Sequence, residues 1–161
     1  DRPFTAAVIT LSDRAFRKER EDRSGPVIRD ILCENGYDVT EMILLPDGEA
    51  LLKRNLIRLA DQRQVNVIFT TGGTGFGPRD LTPEATCAVC DRMAPGIAEA
   101  MRAESLKITK HAMLSRAAAG IRGATLIINL PGSPKACREN LDVVLPALKH
   151  GLGLLRGTDD N

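Results

Sequence analysis

Apolar residues come in two rhythms along this chain: short unbroken runs, and longer stretches with an apolar residue every three or four positions. Residues 6–11 (Ala-Ala-Val-Ile-Thr-Leu) form an unbroken run, the pattern of a parallel strand buried on both faces. After a polar loop, Ser24-Gly25-Pro26 opens a helix, with Ser24 as N-cap and Pro26 tolerated in the first turn. Val27, Ile28, Ile31 and Leu32 repeat at helical spacing, and Gly36 stops the helix. Residues 39–45 predict a second strand. Pro46-Asp47-Gly48 is a turn into a helix whose apolar stripe is Leu51, Leu52, Leu56, Leu59 and Ala60.

Residues 65–70, rich in β-branched side chains, predict a third strand. Beyond a glycine-rich loop, helices are expected over 83–93 and 95–106, each opened by a proline. Residues 117–121 predict a short strand and 125–130 a strong one. Pro131-Gly132-Ser133-Pro134 then starts a long helix with Leu141, Val144, Leu145, Leu148, Leu152 and Leu155 on its apolar side. Pro146 lies inside that pattern and should kink or divide it, because it lacks an amide hydrogen and crowds the preceding turn. Strands alternating with helices over 161 residues predict a single α/β domain, residues 1–161, with a mostly parallel sheet covered on both faces. Such folds bind ligands beyond the C-terminal ends of their strands.

Composition narrows the function. Aromatics are only 3% of the chain and Trp is absent, so the core is aliphatic and a base-stacking RNA surface is disfavoured. The formal net charge of +1 offers no basic excess for nucleic acid. No stretch reaches the roughly 18 to 20 apolar residues of a membrane span. Four scattered cysteines and no apolar leader point to reduced thiols in a cytoplasm. Cys87-Ala-Val-Cys90 lacks the second ligand pair of a zinc site, and we read it as a pair of buried helix cysteines.

The chemistry should sit in four strand-to-helix loops: Ser12-Asp13 onward, Pro46-Asp47-Gly48, residues 71–80, and Pro131-Gly132-Ser133-Pro134. Helix N-termini suit phosphate groups, since their first amides lack partners and the dipole favours an anion. Gly72, Gly73 and Gly75 let backbone amides approach a ligand, while Thr71, Thr74 and Ser133 add hydroxyls. The P-loop and dinucleotide fingerprints both fail: Gly77 is followed by Pro78-Arg79, and no glycine stands at position 78. Asp47 and Asp80 could face one crevice as the pair of carboxylates that magnesium takes beside bound phosphates. Each could equally be a helix cap, although Thr82 is the better cap of the helix after Asp80.

The run Thr70-Thr71-Gly72-Gly73-Thr74-Gly75-Phe76-Gly77-Pro78-Arg79-Asp80-Leu81-Thr82-Pro83-Glu84-Ala85-Thr86 resembles the signature of the MogA/MoaB family of molybdopterin-binding proteins, which includes the G domain of gephyrin. The resemblance continues through Leu11-Ser12-Asp13, Asp22-Arg23-Ser24-Gly25-Pro26, Glu104-Ser105-Leu106-Lys107, Met113-Leu114-Ser115-Arg116, Ala119-Gly120-Ile121-Arg122-Gly123 and Leu130-Pro131-Gly132-Ser133-Pro134.

That resemblance implies a three-layer α/β/α sandwich that assembles as a homotrimer. It implies a Mg²⁺-dependent transfer of AMP from ATP to the phosphate of molybdopterin, releasing pyrophosphate and preparing the pterin for a downstream metal-insertion protein. By the same resemblance Asp80 is the catalytic aspartate and Asp47 a second acidic position, both at the metal. Ser12, Asp13, Thr71, Gly72, Gly73, Thr74, Gly75, Ser105, Ser115, Gly132 and Ser133 match positions that line the pterin and nucleotide pocket. One branch of the family replaces the Pro-Arg-Asp segment; this chain keeps Pro78-Arg79-Asp80, which favours activity. The charged segment over 13–22 carries no readable role. The alternatives are a non-catalytic trimeric pterin carrier or scaffold, and another phosphate-transfer enzyme on the same fold.

Overall fold

The apolar run at the start of the chain forms β1 (Thr5–Leu11), and its residues alternate between two separate cores. The computed structural model describes residues 2–158. Ala6 and Val8 face one core; Ala7, Ile9 and Leu11 face the other. The same alternation runs through β3 (Val67–Thr71) and β6 (Thr125–Leu130), so Phe69 and Ile128 join the first core, and Ile68 and Ile127 the second. Burial on both faces is why these strands read as unbroken apolar runs. Each large side chain removed from water this way stabilises the fold by about 1.5–3 kcal/mol.

Between β1 and β2 (Asp38–Leu45) lie a single turn, α1 (Asp13–Phe16), and the helix α2 (Ser24–Glu34). After β2 come α3 (Ala50–Ile57), β3, α4 (Thr82–Val89) and the short β4 (Arg92–Met93). They are followed by α5 (Pro95–Leu106), β5 (Ala119–Arg122), β6 and α6 (Pro134–Arg156). The sheet order is β2-β1-β3-β6-β5-β4. β2, β1, β3 and β6 are mutually parallel, whereas β5 and β4 are antiparallel to their neighbours. Residues of α2, α5 and α6 close the first core, and residues of α3 and α4 close the second, giving the expected three-layer α/β/α sandwich. From β1 the chain moves to one side to make β2 and then returns to the other side to make β3. The order therefore reverses at the β1–β3 crevice, where ligands of such folds bind.

Several expectations need correction. Ser24 does not cap α2: it is the first helical residue, and its hydroxyl donates to the Gly132 carbonyl at 2.6 Å. The capping acceptor is Asp22, whose Oδ1 takes the Gly25 amide at 3.1 Å. Leu51 points to solvent, leaving Leu52, Leu56, Leu59 and Ala60 as the buried stripe, and α3 widens into a π-helical turn at Arg58–Gln62. The helix expected over 83–93 ends at Val89, because Asp91 and Ala94 donate their amides to Ile121 and Ala119 and draw the chain into edge strand β4. Gly120 permits that approach, since a Cβ there would meet the Cys90 side chain at 2.6 Å. The strand expected from residue 117 starts at Ala119. Pro146 does not divide α6; it lies on the exposed side, where the carbonyl deprived of a donor can meet water. A 3₁₀ turn, Lys110–Leu114, joins α5 to β5.

Asn129 ties the layers together. It is fully buried; its Nδ2 donates to Thr70 Oγ1 at 3.0 Å and Thr86 Oγ1 at 2.9 Å, and its Oδ1 accepts the Ala118 amide at 3.1 Å. Asn129→Ala would strand those groups in a dry interior and should destabilise the fold by about 3 kcal/mol, read as a lower urea midpoint. A loss below about 1 kcal/mol would mean that the three bonds are not formed in solution.

Candidate functional site

The glycine loop leaves β3 with two residues in left-handed conformation, Gly72 (φ 95°) and Gly73 (φ 71°). A Cβ on Gly72 would strike the Leu11 carbonyl, and one on Gly73 would strike the Thr82 hydroxyl. Both glycines are thus required by conformation and by space. The Gly72 amide donates to the Leu130 carbonyl at 3.3 Å, which carries the loop from β3 across to β6.

Thr82 holds the loop from below. Rather than capping α4 as expected, it is the first residue of that helix, and its hydroxyl donates to the Gly72 carbonyl at 2.9 Å while its amide donates to Gly73 at 3.2 Å. Arg116 holds the outer half. Its amide donates to the Thr74 carbonyl (2.8 Å), Nε to Gly75 (2.9 Å) and Nη2 to Asp80 (2.6 Å), while the guanidinium pairs with Glu84. Sequence reasoning missed this role of Arg116, for a single arginine in a connecting segment carries no periodic signal. Its only mark was membership of the motif that includes Ser115.

A cavity of about 510 Å³ opens over the C-terminal ends of β1 and β3. Of the expected residues, Ser12, Thr71, Gly72, Gly73, Gly132 and Ser133 line it, whereas Asp13, Thr74 and Gly75 stand outside the lining. Thr71 donates its hydroxyl to the Pro131 carbonyl at 2.6 Å, joining the β3 end to the loop before α6. Ser133 caps α6, accepting the Ala136 amide at 3.1 Å, so the N-terminus of a 23-residue helix meets the cavity. The unassigned charged segment lies here too: Arg20, Glu21, Asp22 and Arg23 form part of the wall. Asp22 is fixed by Thr10, whose hydroxyl donates to Oδ2 at 2.9 Å. Alternating charges look like a solvated loop in sequence, which is why the pattern does not reveal this wall.

Asp47 and Asp80 lie beside the cavity rather than in its lining. Asp47 does not cap α3, whose preceding residue is Glu49. Its Oδ2 accepts the Asp13 amide at 3.2 Å, while its own amide donates to Asp13 Oδ1 at 3.0 Å. Asp13 in turn is gripped by Arg79 through Nε (2.7 Å) and Nη2 (3.0 Å). Asp80 accepts the Gly77 amide at 2.9 Å through Oδ2.

The two carboxylates Asp13 and Asp47 are driven in opposite directions. The Arg79 hydrogen bond holds the Asp13 carboxyl below its usual value. Burial pushes the Asp47 carboxyl up, and the charges of Asp13 and Asp80 add to the shift against the Asp13 amide and Arg79. Asp80 is thus within electrostatic reach of Asp47. Ser105 and Ser115 stand apart from the cavity lining: Ser105 Oγ accepts from Asn140 at 3.4 Å, and Ser115 Oγ accepts the Ala117 amide at 3.3 Å. Cys87 and Cys90 are not the buried helix cysteines expected, and Cys90 lies just past the end of α4. Cys87 is exposed and Cys90 half-buried, with its thiol pushed up to about 11 by burial.

A family model described as "Probable molybdopterin binding domain" matches residues 7–150. The chain belongs to this family. It is 45% identical over 152 residues to a molybdopterin adenylyltransferase of Helicobacter pylori, covering 93% of this chain and 86% of that protein. It is 39% identical over 143 residues to the molybdopterin adenylyltransferase of Escherichia coli K12, covering 87% and 73%. The fold superposes on the molybdopterin biosynthesis enzyme MoaB of Thermus thermophilus with a TM-score of 0.91 at 47% identity, covering 96% of this chain and 97% of that one.

In this molybdopterin-binding domain the raised pKa of Asp47 has a defined sign. Its folded value exceeds its unfolded value, so its stabilising contribution is full below the unfolded pKa and is lost as pH rises through the folded one. Asp47→Asn removes that titration. The stability of the variant relative to wild type should climb from about pH 3.9 upward and level off above the folded pKa. A gap in urea midpoints that is independent of pH would show that Asp47 is not desolvated.

Proposed function

We propose that this chain is a molybdopterin adenylyltransferase of molybdenum cofactor biosynthesis, transferring AMP from ATP to the molybdopterin phosphate with release of pyrophosphate. The observation that carries this is the retained Pro78-Arg79-Asp80 segment, held by Arg116 and Gly77 so that Asp80 stands over a glycine loop joined to helix N-termini. The activity named for the relatives and the placement of these loops support the reading. Each of Asp47 and Asp80 keeps one carboxylate oxygen, Oδ1, without a hydrogen bond from the described residues.

Two such oxygens fit a magnesium ion, which takes one or two carboxylates and completes its shell with water and substrate phosphates. Burial is the main cause of the raised Asp47 carboxyl, the Asp13 and Asp80 charges add to it, and a bound cation would favour the ionised form. When bound, magnesium would counter the charge that grows on the leaving pyrophosphate.

The chain's own part is positioning. The molybdopterin phosphate is already ionised at neutral pH, so no histidine base is needed for its attack on the α-phosphorus. The N-terminus of α6, capped by Ser133, and the Gly73 amide of the glycine loop hold phosphate oxygens in line. Ser12, Thr71 and Gly132 shape the wall against which the two substrates meet, and Thr74 and Gly75 carry the loop outward from it. Ser105 and Ser115 belong to the same reading as residues of the pterin and nucleotide pocket. The reading also includes a homotrimer in the cytoplasm that passes the adenylylated pterin to a metal-insertion protein.

Anaerobic assays with ATP and Mg²⁺ should show pyrophosphate release only when molybdopterin is added. Release without pterin would point to another phosphate-transfer reaction, and tight pterin binding without release to a carrier. Asp80→Ala should lower turnover by at least about 100-fold while leaving the Kd for molybdopterin within about threefold of wild type. Normal turnover at saturation combined with weakened binding would overturn the role of Asp80.

A further inference from the structure

Asp13 and Asp47 meet just beyond the ends of β1 and β2, Asp80 stands in the loop before α4, and the oxygens of the three aspartates are used unequally. Asp13 has both carboxylate oxygens engaged by the protein: Oδ1 accepts the Asp47 amide and Arg79 Nη2, each at 3.0 Å, and Oδ2 accepts Arg79 Nε at 2.7 Å. Arg79 Nη2 also donates to the Asp47 carbonyl at 2.5 Å. Asp47 Oδ2 returns the contact by accepting the Asp13 amide at 3.2 Å. Asp47 Oδ1 takes no such bond and faces the glycine loop, lying 3.6 Å from where a Cβ of Gly73 would stand.

We propose that Arg79 and Asp13 form a clasp that positions the Asp47 carboxylate, so that Arg79 is a positioning residue and Asp13 its partner, neither touching substrate. The inference rests on the adenylyltransferase function above and divides labour among the three aspartates. Asp47 and Asp80 offer open oxygens, whereas Asp13 spends its own on loop geometry. The five bonds span three loops that are far apart in the chain, 34 residues from Asp13 to Asp47 and 66 from Asp13 to Arg79. No local turn could hold Asp47 this way. An arginine suits the task because its planar fork can engage a carboxylate with two nitrogens and still reach a carbonyl, which a lysine ammonium cannot do with one.

The test is a double-mutant cycle with Arg79→Gln, Asp13→Ala and the combined variant, together with Arg79→Lys. If the two residues act as one clasp, each single variant loses about 10-fold or more in kcat with KM for ATP and for molybdopterin nearly unchanged, and the double variant is no worse than the poorer single. Arg79→Lys restores only part of the loss. Hydrogen exchange supplies a readout independent of turnover: the Asp47 amide exchanges faster in Arg79→Gln, although its own acceptor, Asp13, is still present.

Losses that multiply in the double variant, or a KM for ATP that rises in Arg79→Gln alone, would overturn the proposal and make Arg79 a nucleotide contact. Should the wild-type chain release no pyrophosphate, the functional reading fails by itself, and unchanged Asp47 exchange in Arg79→Gln would still sink the clasp. Urea midpoints of each variant separate misfolding from mispositioning. Where Arg79→Gln does not fold, Arg79→Lys carries the same comparison.

Discussion

The close passage of the Gly72 backbone beneath the carbonyl of Leu11 is the constraint on which the site depends. With no side chain at Gly72, the end of β3 can press against the end of β1 and turn left-handed at once. That turn brings the Gly72 amide to Leu130 and presents the Gly72 and Gly73 carbonyl groups to Thr82. Everything outside it follows. Thr82 fixes where α4 begins, Arg116 closes over Thr74, Gly75 and Asp80, and the crevice between β1 and β3 becomes a cavity with helix ends at its rim.

Most of the framework was legible in the chain because each central strand is buried on both faces and leaves an unbroken apolar run. The strand over 125–130 and the helix over 95–106 fall where the pattern put them. What escaped was decided by partners far away. Ser24 and Thr82 look like caps to their neighbours, yet their hydroxyls serve Gly132 and Gly72. Edge strand β4 has two exposed residues, too few to show any period, and it exists because β5 offers free carbonyls.

The site shows the same division. Glycines, hydroxyls and prolines at strand ends announce themselves, and six of the expected residues do line the cavity. The arginines and the charged wall do not, because their roles depend on which opposite charge they meet. Arg79 and Arg116 differ little in local sequence from any surface arginine, but each ties together segments that the sheet alone brings close. The Arg20–Arg23 stretch reads as solvated loop until the β1–β3 crevice gives it something to overhang.

Ser24 and Gly132 are joined by one hydrogen bond across 108 positions, and that bond has a consequence for how the protein is made. During synthesis β1, β2 and β3 emerge first and could begin to pair, but the wall of the cavity that starts α2 has nothing to lean on until Gly132 leaves the ribosome. Asn129, which bolts the sheet to α4, arrives only three residues earlier. A nascent chain that has exposed its glycine loop therefore holds an unfinished crevice, and the ability to bind phosphates should switch on abruptly once Gly132 has emerged.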